Sequence, residues 1–349
     1  MNMQFQIEPI AGIIMNLQQY IKTSLEKIRA IKGVENVVLT QRDGNPLQSA
    51  GVWLSKNEIF NLSSATSAIY NLGLHLHSNQ LKYILIEGKS AKIFIAPLKN
   101  SLNDPIDRIM ISQGIKNKNE EFFIAITATP NVNLGGVFLN TREGLRDIKR
   151  SLILSGESFK PPLRKFGQAQ LDSLLSSFNV KETEEKSQFL SLNSISFSEK
   201  TIQKIDHVLN RMNKSILNLK SATVTTSGGF LVSSLASTKA INDTIEHKAA
   251  MTYSLFSTAN RCAWLLKKMK IENILLECFD YFQFITEMDD GIFSVTIDKG
   301  KQKLGLLRLL IPRFAKLLKK NIKEAKRISD PMKSINLDGV LGQICLREG

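Results

Sequence analysis

One phrase is written twice in this chain. Residues 37–51 read VVLTQRDGNPLQSAG, and residues 222–236 read ATVTTSGGFLVSSLA. In the first, Val37–Gln41 and Leu47–Ala50 alternate as strands do, and Asp43-Gly44 between them can take the positive φ values of a tight hairpin. In the second, Ser227-Gly228-Gly229 holds the same place. A repeat of this kind constrains the fold more than any single motif, because whatever module one copy builds the other must build too.

The surroundings of the phrase repeat as well. Before the first copy, Ile10, Ile13, Ile14, Leu17, Ile21, Leu25, Ile28 and Ile31 fall at the spacing of an amphipathic helix, which Gly33 ends. After it comes a helix from about Lys56 to His75, with Ile59, Leu62, Ala65, Ile69, Leu72 and Leu76 on or near one face. YILIE (83–87) and KIFIA (92–96) form a second hairpin, FFIAITAT (122–129) a fifth strand, and Leu134 to Leu152 a third helix. The second half runs in the same order: a helix over Thr201–Leu217, the hairpin phrase, and a long helix over Thr238–Lys268 with Ile241, Ile245, Ala249, Leu255, Ala259 and Leu266 inward. ENILLEC, YFQFITE and GIFSVTI then read as strands, and Lys303–Arg327 as the last helix. Equivalent residues lie 185 apart at Gly44 and Gly229, 190 at Glu87 and Glu277, and 170 at the Leu-Gly pairs 134–135 and 304–305. The drift is confined to loops and helix ends, as duplication of one module requires. It assigns the first copy an insertion at about 98–120.

Residues 151–198 break the pattern. Pro161-Pro162 and KETEEK (181–186) mark a linker, with a short helix near Gln168–Phe178. The organisation expected is therefore domain 1 over 1–152, a linker over 153–198, domain 2 over 199–327, and a tail over 328–349.

The net charge of +14 is unevenly placed. The linker is neutral, whereas Lys299–Arg327 holds eleven basic residues against Glu324 alone. That surplus points to an acidic partner for this segment. No apolar run approaches the roughly 18 residues that span a bilayer, and MNMQFQIEPIAGIIMN has neither the basic lead nor the cleavage site of a signal peptide. Cys262, Cys278 and Cys345 form no CxxC or metal-like cluster and read as reduced thiols of a cytoplasmic protein.

GVENVVLTQRDGNPLQSAG, the repeated element order and the endings VNLGGVFLNTREGLRDI and KLGLLRLLIPRFAKLL together resemble the roadblock (dynein light-chain) family, over about 1–152 and 199–327. SGG in place of RDG weakens the match of the second copy's first hairpin. The resemblance implies an α+β chain of two tandem roadblock-like (profilin/longin-like) domains. Each would be a five-stranded antiparallel sheet with its middle helix on one face and its first and last helices on the other. It also implies pairing of middle helices and joining of third strands into a ten-stranded sheet, here as an internal pseudo-dimer. Small residues on the middle helices, Ser64, Ala65 and Ala68 in copy one and Ala249, Ala250 and Ala259 in copy two, would let those helices approach closely.

Catalytic signatures are missing. Gly88-Lys89-Ser90 has Tyr83 where a phosphate-binding loop needs glycine, and no helix follows it. His75 and His77 diverge on a helix end without a third ligand, and His207 and His247 have no ligand pattern around them. No GxSxG or HExxH occurs. No metal or cofactor is expected, nor an enzyme. On the last helix, Leu307, Leu310, Ile311, Phe314, Leu317, Leu318 and Ile322 read as the buried stripe. Arg308, Arg313, Lys316, Lys319, Lys320 and Lys323 read as an outward basic face, and Pro312 as a kink or the start of the regular helix. The expected function is an adaptor or regulator binding a small Ras-like GTPase or other roadblock/longin-type proteins. Arg142, Arg146 and Arg313 are candidates to assist GTP hydrolysis in trans. The alternatives are a tether placing the protein at an anionic membrane surface through the basic helix, and a structural subunit of a motility or trafficking complex. Nucleic acid is disfavoured, because the basic helix lacks exposed aromatics.

Overall fold

A computed structural model describes residues 11–51, 55–77, 80–98, 122–154, 197–236, 242–267, 269–288, 291–300 and 303–324. The expected insertion, most of the linker and the tail lie outside these residues. The first half contains α1 (Ala11–Arg29), β1 (Val34–Gln41), β2 (Pro46–Gly51), α2 (Lys56–His77), β3 (Leu81–Gly88), β4 (Lys92–Pro97), β5 (Phe122–Ala128) and α3 (Leu134–Leu154). The second repeats that order as α4 (Glu199–Ser215), β6 (Leu219–Thr226), β7 (Leu231–Ala236), α5 (Asn242–Lys267), β8 (Ile271–Cys278), β9 (Tyr281–Met288), β10 (Gly291–Asp298) and α6 (Leu304–Glu324).

The two copies of the hairpin phrase close identically. Gln41 N–H donates to Asn45 O and Gly44 N–H to Gln41 O, both at 2.8 Å; Thr226 N–H donates to Phe230 O at 2.9 Å and Gly229 N–H to Thr226 O at 3.0 Å. Only the glycine of each turn has positive φ, +95° at Gly44 and +81° at Gly229. The connection is thus a three-residue loop with one left-handed residue, so Asp43 does not share the positive φ that a two-residue turn would impose. Asp43 instead accepts from Asn45 N–H at 3.0 Å.

Among the described residues all ten strands form one sheet in the order β2-β1-β5-β4-β3-β8-β9-β10-β6-β7. Its centre is the antiparallel pairing of the two third strands. Leu85 lies opposite Leu275, with Tyr83 opposite Glu277 and Glu87 opposite Asn273. Every one of those residues is 190 positions from its counterpart in the other half, so the ladder is self-complementary, as an isologous dimer contact is. Gly88 is needed there: an added Cβ would come within 2.6 Å of the Lys270 carbonyl oxygen.

The period-2 alternation of the strands separates two cores. Ile84, Ile86, Ile274 and Leu276 pack under α2 and α5 on one face. Leu85, Phe94, Leu275 and Phe284 pack under the other four helices on the opposite face. Each core runs across both halves. Burial of a large aliphatic side chain contributes roughly 1.5–3 kcal/mol, so Leu85 and Leu275, both essentially inaccessible, bind the halves as firmly as core residues bind elements within one half.

The helix pair α2–α5 closes the first of these faces. Ala65, Ala249 and Ala259 are buried and Ser64 is half-buried, but Ala68 and Ala250 are exposed. Those two expected interface residues point away from the contact, because the inward stripe runs through Ala65, Ile69 and Leu255 instead. Several of the helix's small polar residues serve its own half: Ser63 Oγ lies 3.1 Å from Thr40 Oγ1, and Ser67 Oγ donates to the Arg42 carbonyl at 2.5 Å. The helices also reach across the junction by their C-terminal ends. His77 Nε2 donates to Gln283 Oε1 at 2.6 Å while Nδ1 accepts from Tyr281 OH at 2.8 Å. Gln283 Nε2 in turn donates to Thr252 Oγ1 and Ser294 Oγ at 3.2 and 2.9 Å. At the matching end of α5, Lys267 pairs with Glu35 of the first half.

Candidate protein-docking face

On the four-helix face, α3 and α6 flank the β3–β8 junction. Phe138 of α3 stacks on Tyr83 with ring centroids 4.8 Å apart and meets Phe94 at 5.2 Å. From the other side Arg308 of α6 reaches Glu87 on β3 at 2.7 Å, 221 residues away in sequence. Beside Arg308 lies a cleft of about 290 Å³ lined by Glu87, Lys92, Asn273, Arg308, Ile311 and Pro312 among others.

Two carboxylates at equivalent positions flank the junction, each held by cations. Glu87 lies 3.4 Å from Lys92 as well as beside Arg308. Glu277 accepts from Lys299 at 2.6 Å, whose ammonium also sits 4.9 Å from the Phe282 ring centroid. Burial, with the Glu277 carboxylate accepting its hydroxyl, holds the Tyr83 phenol well above its ordinary value. Burial, then the neighbouring Lys299 and Arg142, lowers the Lys82 ammonium. Tyr83 is therefore a neutral donor to Glu277 at neutral pH.

Of the expected basic face, Arg313, Lys316, Lys320 and Lys323 are exposed, as are Arg142 and Arg146 on α3. Arg308 and Lys319 are not outward charges: they turn down to the sheet, Arg308 to Glu87 and Lys319 to Glu287 at 3.8 Å. The buried stripe of α6 consists of Leu307, Ile311, Phe314, Leu318 and Ile322; Leu317 departs from it, being 40% exposed. Leu306 and Leu309 are exposed too, at 50% and 65%, and so is Leu139 of α3 at 59%, which is the counterpart of Leu309 at the 170-residue offset. Pro312 does not start the helix, which begins at Leu304; it is exposed, so the backbone bond it removes is lost on the solvent side.

This arrangement suits a macromolecule. Exposed leucines beside cations offer apolar area with a charged rim, as protein interfaces do. Among the described residues no three His, Cys, Asp or Glu side chains are placed to hold a metal ion. No described helix is long and apolar enough to cross a membrane. His75, His207 and His247 are exposed, while His77 belongs to the buried network between the halves. The residues Tyr83, Lys92 and Asn273 at the junction carried no sequence signal of a site.

A family model described as Roadblock/LC7 domain matches residues 20–102, from within α1 to just past β4. No curated protein sequence matches the chain. Among solved structures, the Roadblock/LC7 domain from Streptomyces avermitilis aligns at 12% identity over 38% of this chain and 97% of its own, with a TM-score of 0.31. Myxococcus xanthus MglB aligns at 24% identity over 37% and 94%, with a TM-score of 0.33. The gliding protein MglB from Thermus thermophilus aligns at 15% identity over 38% and 98%, with a TM-score of 0.32. Residues 20–102 thus match the Roadblock/LC7 domain, within an α+β sheet whose second half repeats the same element order.

Proposed function

We propose that this chain is a non-catalytic adaptor. In this reading its second half is a further roadblock-like module, clasped to the first as an internal pseudo-dimer, and the face formed by α3 and α6 docks a small Ras-like GTPase or a complex containing one. The observation that carries the reading is the exposed set of leucines and cations on that face, above a junction already closed by strand pairing. Surface kept apolar after the module's own dimer contact is satisfied is surface left for another macromolecule. The Roadblock/LC7 match at 20–102 supports the partner class. Any acceleration of GTP hydrolysis would come from an arginine supplied in trans or from positioning of the GTPase's own groups; Arg142, Arg146 and Arg313 are the candidates.

The test is a pulldown of small GTPases from the same organism, each loaded with GDP or a non-hydrolysable GTP analogue. Retention of at least one, weakened by Arg313→Glu with Lys316→Glu, is expected. Absence of binding across all of them, in both nucleotide states, removes the GTPase partner.

A further inference from the structure

The halves are built alike but differ at the junction they share. Tyr83 and Asn273 are counterparts at the 190-residue offset, and Phe138 and Arg308 at the 170-residue offset. One end of the junction is therefore aromatic, with Phe138 stacked on Tyr83. The other is charged, with Arg308 and Lys92 on Glu87. The helices above them differ as well. The exposed face of α6 runs Leu306, Leu309, Arg313, Lys316, Lys320, at steps of three and four residues. At 1.5 Å per residue this stripe is about 21 Å long, about four turns of helix. Its first half is apolar and its second half cationic. At the 170-residue offset the matching positions of α3 are Gly136, Leu139, Glu143 and Arg146, so an exposed carboxylate stands where α6 has Arg313.

We propose that the outer stripe of α6 docks one acidic amphipathic helix of a partner protein, in a single orientation and one copy per chain. Its leucine-type residues lie on Leu306 and Leu309 and its carboxylates on Arg313 and Lys316. The proposal rests on the reading of this face as a protein-docking platform and names the chemistry of what docks. Charge and shape decide for a helix over a lipid surface. A plane of anionic headgroups laid across α3 and α6 would meet Glu143 as well as the cations, whereas a rod about 10 Å wide follows α6 alone. A symmetric pair of modules would offer two such stripes and accept two partners. Divergence of Phe138 from Arg308 and of Glu143 from Arg313 leaves only one.

Fluorescence anisotropy with the full chain tests this. The probes are two labelled helical peptides of about 18 residues, one with leucines in its amino-terminal half and glutamates in its carboxy-terminal half, the other with that order reversed. One order is expected to bind 1:1 and at least about fivefold tighter than the other. Arg313→Glu with Lys316→Glu should weaken it by about tenfold or more, and Arg142→Glu by less than about twofold. These residues are exposed, so circular dichroism and melting should stay unchanged in each variant. No binding, equal binding of both peptides, or equal loss in Arg142→Glu overturns the proposal. So does charge-dependent sedimentation with vesicles of about 30% anionic lipid when neither peptide binds. If the peptides fail while a GTPase is still retained in the pulldown, this inference falls and the adaptor reading stands; if both fail, both fall.

Discussion

Acidification should loosen the clasp between the halves through one side chain. His77 leaves α2 to bond Tyr281 and Gln283 on β9, and Gln283 is fixed by Thr252 of α5 and Ser294 of β10. Because Gln283 Oε1 can only accept, Nε2 carries the proton and Nδ1 is free to accept from Tyr281, so the network needs the neutral ring. Burial pushes the imidazole down from 6.5 to about 4, against the Gln283 hydrogen bond and with the Lys248 charge. A depressed pKa in the folded chain means that the unfolded chain takes up the proton first as pH falls. The stabilisation is thus complete above pH 6.5 and is lost between about 6.5 and 4. At pH 5 the linkage amounts to about 2 kcal/mol. The assay is urea unfolding at pH 7.5, 6 and 5 for the natural chain and His77→Gln. The variant should be less stable at pH 7.5 yet nearly flat down to pH 5, while the natural chain falls by about 2 kcal/mol. Parallel decline of the two would show that His77 is not the titrating group.

Two backbone positions give further expectations. Gly88→Val places a side chain against the Lys270 carbonyl, 2.6 Å from the Cβ and unable to move aside as a flexible side chain would; the melting temperature should fall, with faster amide exchange at the β3–β8 junction than in β1 or β5. Gly44→Val puts a β-branched residue at φ +95° with its Cβ 3.3 Å from Ser64 Cα. A loss of about 1–3 kcal/mol in urea unfolding is expected, and no loss would mean that the hairpin does not need its left-handed residue.

Fold and site were unequally legible. The offset of 190 between Glu87 and Glu277 came from local pattern, and it makes the antiparallel ladder symmetric about Leu85 and Leu275, because each half folds by short-range rules and duplication preserves them. Gly44 and Gly229 were readable for the same reason. Helix faces were harder: Leu317 fits the apolar period of α6 yet is exposed, and Ala68 and Ala250 are small yet turn outward. Periodicity locates a stripe to within one residue type and does not say where a neighbouring element ends. The cleft was not legible at all, since Glu87 meets Arg308 only after ten strands are in order. Arg308 and Lys319 accordingly read as part of an outward basic face, although both turn to carboxylates on the sheet. One signal was available for the His77 network: Gln283 interrupts the phenylalanines of YFQFITE at a core-facing position, and a buried amide implies partners.

Amide hydrogen exchange along β3 and β8 tests the central claim, that the halves join through these strands, most directly. If they pair as described, consecutive amides over Ile84–Ile86 and Ile274–Leu276 are all as slow as those of Phe123–Ile126 in the sheet interior. If alternate amides of β3 and β8 exchange as fast as those of the edge strands β2 and β7, the halves are not joined there and the account is wrong.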